Sequence, residues 1–196
     1  MALLPASAWA LRPTFRLSQG GRANVRESGA NNVVRSEIVT RGEVDLAQKE
    51  WWRALPFIEL RRDADRGAWS RVELGAEFGF KPFPNLIPPF CWFYVGHSLH
   101  QAWVSPGRDH PEWEIRTLFD FPFPLIQVGS RKASIFLLNE YTYDFRRGAG
   151  IRNEASAGLR VPLPLPRFSF LLGWKHVDPV HFRDMDQVEA SLLVEF

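Results

Sequence analysis

The chain has 196 residues and a single cysteine, Cys91. One thiol excludes an internal disulfide framework and a cysteine-rich metal site; it reads as a small apolar residue on a core or membrane face. No run of 18 or more apolar residues occurs, so no segment crosses a bilayer as a helix. Neither sign of charge dominates, with 24 Lys and Arg against 22 Asp and Glu. That balance offers no basic stripe of the kind a nucleic-acid binder needs. Helical periodicity is also scarce. The best window, 43–55, sets Val44, Ala47, Trp51 and Leu55 at helix-like spacing, but it equally fits the end of one strand and the start of the next.

What is present is aromatic and apolar: 8 Trp, 16 Phe and 45% apolar residues. Such a chain is ordered and long enough for one domain with a real interior. The opening "MALLPASAWA" is short and apolar and ends in Ala8-Trp9-Ala10. It reads as the remnant of a secretory signal peptide without its basic n-region, as a start assigned too far downstream would produce. An ordinary apolar N-terminus is the alternative. The expected division is a signal remnant over 1–10 and a single domain over 11–196.

Alternation with period two marks strands. Val72, Leu74, Ala76, Phe78 and Phe80 oppose Arg71, Glu73, Gly75, Glu77 and Gly79. Trp113, Ile115, Thr117, Phe119 and Phe121 oppose Glu112, Glu114, Arg116 and Asp120. Segments 34–46, 151–163 and 187–196 alternate in the same way. The predicted strands run about 10 to 13 residues. That is longer than the soluble-protein mode of about 5 to 6 and matches the 9 to 11 that a tilted membrane strand needs.

A Pro-x-Pro element recurs at Pro82-Phe83-Pro84, Pro122-Phe123-Pro124 and Pro162-Leu163-Pro164, with steps of 122−82 = 40 and 162−122 = 40. Proline cannot donate to a sheet ladder, so it belongs where strands stop. Strands over 12–19, 33–46, 51–61, 68–80, 90–104, 112–123, 131–145, 151–163, 166–177 and 187–196 make each repeat one hairpin plus its return. One set of connections (47–50, 81–89, 124–129, 164–166), three of the four carrying the prolines, then falls on one side together with both termini. The Gly-, Asp-, Arg- and His-rich ones (20–32, 62–67, 105–111, 146–150, 178–186) fall on the other. Trp51, Trp52, Trp92 and Phe196 lie near the first side, and Trp69, Trp103, Trp113 and Trp174 near the second. These form two aromatic belts, as at two membrane interfaces.

The chain therefore resembles a small bacterial outer-membrane β-barrel. The features that carry the resemblance are the alternating last strand "QVEASLLVEF" and its terminal aromatic, with Leu192, Val194 and Phe196 in step. The resemblance implies an all-β, closed, antiparallel up-and-down barrel of about ten strands, with eight as the alternative. It also implies a location in the bacterial outer membrane, contact with outer-membrane lipids, and recognition of Leu192, Val194 and Phe196 by the barrel assembly machinery. The final strand lacks the glycine that many such signals carry.

Function is less legible. The predicted interior mixes Arg35, Arg41, Arg71, Arg116, Lys132, Arg152, Arg160, Arg167 and Lys175 with thirteen carboxylates, Glu112, Glu114, Glu140 and Glu154 among them. A barrel of this width can be filled by side chains, and buried charges must pair. A selective pore calls for rings of one sign, which are not seen. Two clusters are candidates for chemistry. His176, Asp178, His181, Asp184 and Asp186 fall within 11 residues and are metal-ligand or general-base types. Omptin-type proteases use Asp and His near the outer rim of a ten-stranded barrel, although their second Asp/His pair has no counterpart here. "GHSLHQAW" offers His97, Ser98 and His100. Outer-membrane lipid A deacylases use a His, Ser and Glu on neighbouring strands. Ser98 and His100 share a face, and Glu112 or Glu114 comes from the next strand, giving the grouping Ser98, His100 and Glu114. A nucleophile and its base must lie within hydrogen-bond reach.

The expected role is a non-enzymatic structural or narrow-channel (porin-like) envelope protein with no cofactor, no nucleic-acid partner and a small solute as its remaining partner. The alternatives are a rim-site hydrolase acting on lipid A or peptides, and a soluble lipocalin-like binding barrel.

Overall fold

The structure is a computed structural model describing residues 14–27, 36–48, 52–81, 92–104, 108–180 and 184–196. Eleven strand elements follow one another: β1 (Thr14–Glu27), β2 (Ser36–Asp45), β3 (Ala47–Gln48), β4 (Trp52–Asp63), β5 (Trp69–Phe80), β6 (Trp92–Val104), β7 (Arg108–Val128), β8 (Arg131–Asp144), β9 (Ala149–Pro162), β10 (Phe168–Pro179) and β11 (Met185–Glu195). Each long strand pairs antiparallel with its sequence neighbour. β1 also pairs with β11, and β2 with β4, so the sheet closes.

β3 is the continuation of β2. Glu43 faces Phe57 and Ala47 faces Ala54, so the β2–β3 side carries one residue more than β4. This bulge lies opposite Pro56, which has no N–H to offer the ladder. With β3 counted as part of β2, the barrel has ten strands, and the window 43–55 is strand rather than helix.

Inside and outside follow the alternation. Leu74, Phe78, Leu99 and Leu172 are exposed on the outer wall, while Glu73, Glu77, Glu112 and Lys175 are buried in the lumen. Phe15, Phe80 and Phe196 are exposed near the end that carries the termini, and Trp69, Trp103 and Trp174 near the other. An apolar outer wall with a charged interior is the reverse of a lipocalin and excludes that alternative. Closure leaves no sheet edge, so every strand can satisfy its backbone in lipid. This is a transmembrane outer-membrane barrel.

Several expected boundaries move. The stretch 20–27, expected as loop, continues β1 as far as Glu27. β7 starts at Arg108 within the expected 105–111 loop. It runs through Pro122 and on to Val128, leaving a two-residue turn at 129–130. The regular ladder breaks between Phe123 and Gln127, so Pro124 stands where pairing lapses although the strand goes on. Arg167, expected in the lumen, is exposed in the β9–β10 turn with a φ of 70°. Residues 1–10, Pro82, Pro84, Arg35, Trp51 and Cys91 lie outside the described residues.

Candidate functional site

Alternation places charged side chains on the lumen face of most strands, densest on β2, β4, β5 and β7, and closure brings the faces of distant strands together. The result is two chains of ion pairs across the interior. In the first, Arg41 bridges Glu43 at 3.3 Å and Glu59 at 3.2 Å, and Arg61 bridges Glu59 at 2.6 Å and Glu73 at 3.3 Å. Arg71 then joins Glu73 to Glu112. In the second, Arg116 joins Glu77 at 3.1 Å to Glu140 at 2.5 Å. The buried Lys175 Nζ lies 2.6 Å from Glu154, 3.4 Å from Glu189 and 3.7 Å from Glu140. Arg152 holds Glu154 at 2.8 Å, and Arg22 holds Glu189.

Desolvating this many charges is costly unless each is matched by an opposite charge with good hydrogen-bond geometry. The guanidinium fork suits this task, since one Arg can hold two carboxylates. The lattice contains Arg22, Arg61 and Glu59, which the expected interior set did not include.

At the loop side of the lattice lies the histidine chemistry. Ser98 Oγ is 3.4 Å from His100 Nδ1, and His100 Nε2 is 3.1 Å from Glu112 Oε2. His110 Nε2 sits 2.7 Å from the other oxygen of the same carboxylate, Oε1. Ser98, His100 and Glu112 are all buried. In the tautomer that donates Nε2–H to Glu112, the His100 Nδ1 lone pair faces Ser98, the arrangement a general base requires.

The expected third member, Glu114, is not in this chain. Register sets Glu112 opposite His100 and Glu114 opposite Ser98, and Glu114 meets Arg116 at 3.6 Å instead. His97 is on the outer wall, stacked on Trp113 at 5.8 Å between centroids. Sequence reading missed His110, because 105–111 was expected to be loop.

Of the second expected cluster, the described residues bring together His176 and Asp186 alone. His176 Nδ1 lies 2.9 Å from Asp186 Oδ1, and its ring stacks on Trp174 at 6.0 Å on the outer wall. Asp178 and Asp184 are exposed, and His181 is outside the described residues. Among the described residues, no three His, Cys, Asp or Glu side chains are placed to hold a metal ion.

No family model matches the sequence, and no curated protein matches it. Among solved structures, the chain is similar to the β-domain of the Bordetella autotransporter BrkA, at 10% identity, 93% of this chain, 98% of that one and a TM-score of 0.49. It is also similar to LpxR from Salmonella typhimurium, at 8% identity, 93% of this chain, 99% of that one and a TM-score of 0.48. A third is an outer membrane channel from Pseudomonas putida F1, at 7% identity, 100% of both chains and a TM-score of 0.44. Likeness of this extent is one of general shape, and nothing of those proteins' activities passes to this chain.

Proposed function

We propose that this protein is a non-enzymatic integral component of the bacterial outer membrane, a structural barrel closed to ions through its middle. The observation that supports this reading is the ion-pair lattice. It reaches from Glu43 on β2 through Arg41, Glu59, Arg61, Glu73 and Arg71 to Glu112 on β7. Signs alternate along that path, so no single-sign ring is available to select and pass an ion. The barrel reaches its membrane through the assembly machinery, which reads Leu192, Val194 and Phe196, and it is then bounded by outer-membrane lipid. Refolded protein in a planar lipid bilayer tests the closed lumen. The expected record is a flat baseline at moderate voltage; stable unitary steps would show a narrow channel instead.

A second reading has its own observation. The contacts from Ser98 through His100 to Glu112 have the composition and order of a nucleophile, base and orienting carboxylate. In this reading the barrel is an outer-membrane hydrolase acting on lipid A or peptides, and His100 Nδ1 takes the Ser98 proton. The burial of all three side chains argues against it, since a substrate must reach Ser98. Turnover of either substrate by purified protein, abolished by Ser98→Ala, would establish this reading over the first.

A further inference from the structure

Below the lattice, at the end that carries the termini, the lumen opens into a cavity of about 550 Å³. Its charge is not balanced like that of the lattice. Five basic side chains line it, Arg16, Arg53, Arg131, Lys132 and Arg160, against three acidic ones, Glu43, Asp120 and Glu195, and Arg53 is paired with Asp45 at 3.6 Å. The three acids are already engaged. Arg16 lies 2.9 Å from Glu195 and 3.4 Å from Glu43, and Arg160 lies 3.1 Å from Asp120.

Among the described residues, Arg131 meets two neutral acceptors, Ser169 Oγ at 3.0 Å and the Leu165 carbonyl at 3.4 Å. Among the described residues, neither Arg131 nor Lys132 has a carboxylate within ion-pairing distance. Arg160 Nε is a buried donor with no hydrogen-bond partner among the described residues. A buried donor left unsatisfied is costly and marks a place where an acceptor fits.

We infer that this vestibule binds a small soluble organic anion carrying a phosphate group. Arg131, Lys132 and the Arg160 guanidinium would receive the phosphate oxygens, because a guanidinium fork matches that geometry and lysine adds a point charge. Ser18, Ser134, Ser169 and Ser191 offer hydroxyl partners for the rest of the molecule, and Leu118, Leu171 and Leu193 supply an apolar wall. The volume lies in the range of small-molecule sites, about 300 to 1,000 Å³. A free phosphate would leave much of it unfilled. The cavity is inside the barrel and not on the lipid-facing wall, which favours a dissolved solute over a lipid headgroup. The site depends on the charges at this mouth and stands whether or not the lumen above it conducts.

The test is isothermal titration calorimetry on full-length protein folded in a maltoside micelle at low ionic strength. The probes are glucose 6-phosphate, inorganic pyrophosphate and glucose. Both anions are expected to bind, glucose at least tenfold more weakly or not at all, and added salt to weaken the anions. An Arg131→Gln/Lys132→Gln double variant, changed only at the mouth, should lose tenfold or more in affinity for both anions. Arg160→Gln should do the same where a cold-against-boiled gel shows that it folds. Absence of anion binding, equal binding of glucose, or undiminished binding by the double variant each overturns the assignment.

Discussion

Tyr94 donates its hydroxyl hydrogen to Glu77 across 2.8 Å inside the barrel, and its ring occupies the space that two glycines leave open. A Cβ at Gly79 would lie 1.8 Å from the Tyr94 oxygen, and one at Gly96 would lie 2.9 Å from its ring. The absence of side chains at these paired positions on β5 and β6 is what lets a tyrosine lie along the lumen wall. Gly79→Ala should therefore destabilise the folded barrel by about 1–3 kcal/mol through overpacking. In a Tyr94→Ala background the same change should cost far less. Urea titration of vesicle-inserted protein, followed by tryptophan fluorescence, measures the coupling; equal costs in both backgrounds would show that the two positions do not interact.

Glu112 and Glu114 are two residues apart on one face and differ in what depends on them. Among the described residues, Glu112 holds Arg71, His100 and His110, whereas Glu114 has one ion-pair contact, to Arg116. Glu112→Leu takes one of two carboxylates from Arg71 and leaves the His100 and His110 rings without their shared acceptor, and should cost about 3–5 kcal/mol. Glu114→Leu should cost clearly less. The same urea titration checks both, and a larger loss at Glu114 would contradict the register described here.

This pair also shows where sequence reading stops. Alternation put Glu112 and Glu114 on the lumen face, but which one meets His100 depends on the inter-strand register, which period-two patterning does not carry. Strands β5, β7, β9 and β11 were legible because their two faces differ cleanly in polarity. Beyond Leu17 the outward positions of β1 are Gln19, Gly21 and Ala23, which carry no apolar period, so alternation alone ends this strand early. β4 buries Leu55 and Phe57 on the same inward face as Arg53 and Glu59, so its charged lumen side was not evident. The described prolines of the repeat, Pro122, Pro124, Pro162 and Pro164, lie toward the end of the barrel that carries the termini, yet at Pro122 the chain stays extended past the break in the ladder.

Lys175 is the common partner of Glu140, Glu154 and Glu189. Lys175→Met should destabilise by about 3–5 kcal/mol, because three carboxylates then share too little positive charge. Adding Glu154→Gln should recover part of the loss. A double-mutant cycle over these two positions reads the coupling, and strict additivity would mean that the lattice is not interdependent.

Phe196 is exposed at the barrel end, and its backbone is tied to Phe15 by N–H to carbonyl contacts of 2.8 and 3.4 Å. Its ring therefore contributes little to packing and is free to serve as an assembly signal. Phe196→Ala should reduce the amount of barrel in the outer membrane of cells several-fold while leaving refolding into detergent unchanged. Equal losses in both settings would assign Phe196 a structural role instead.

The most direct test of the account is outer-membrane fractionation followed by electrophoresis of unheated and boiled samples. A closed ten-stranded barrel resists detergent when cold, so the protein should be found in the outer-membrane fraction and change mobility on boiling. Recovery in the detergent-free soluble fraction with no mobility change would contradict it, and the charged residues placed in the lumen would then be an ordinary solvent-facing surface.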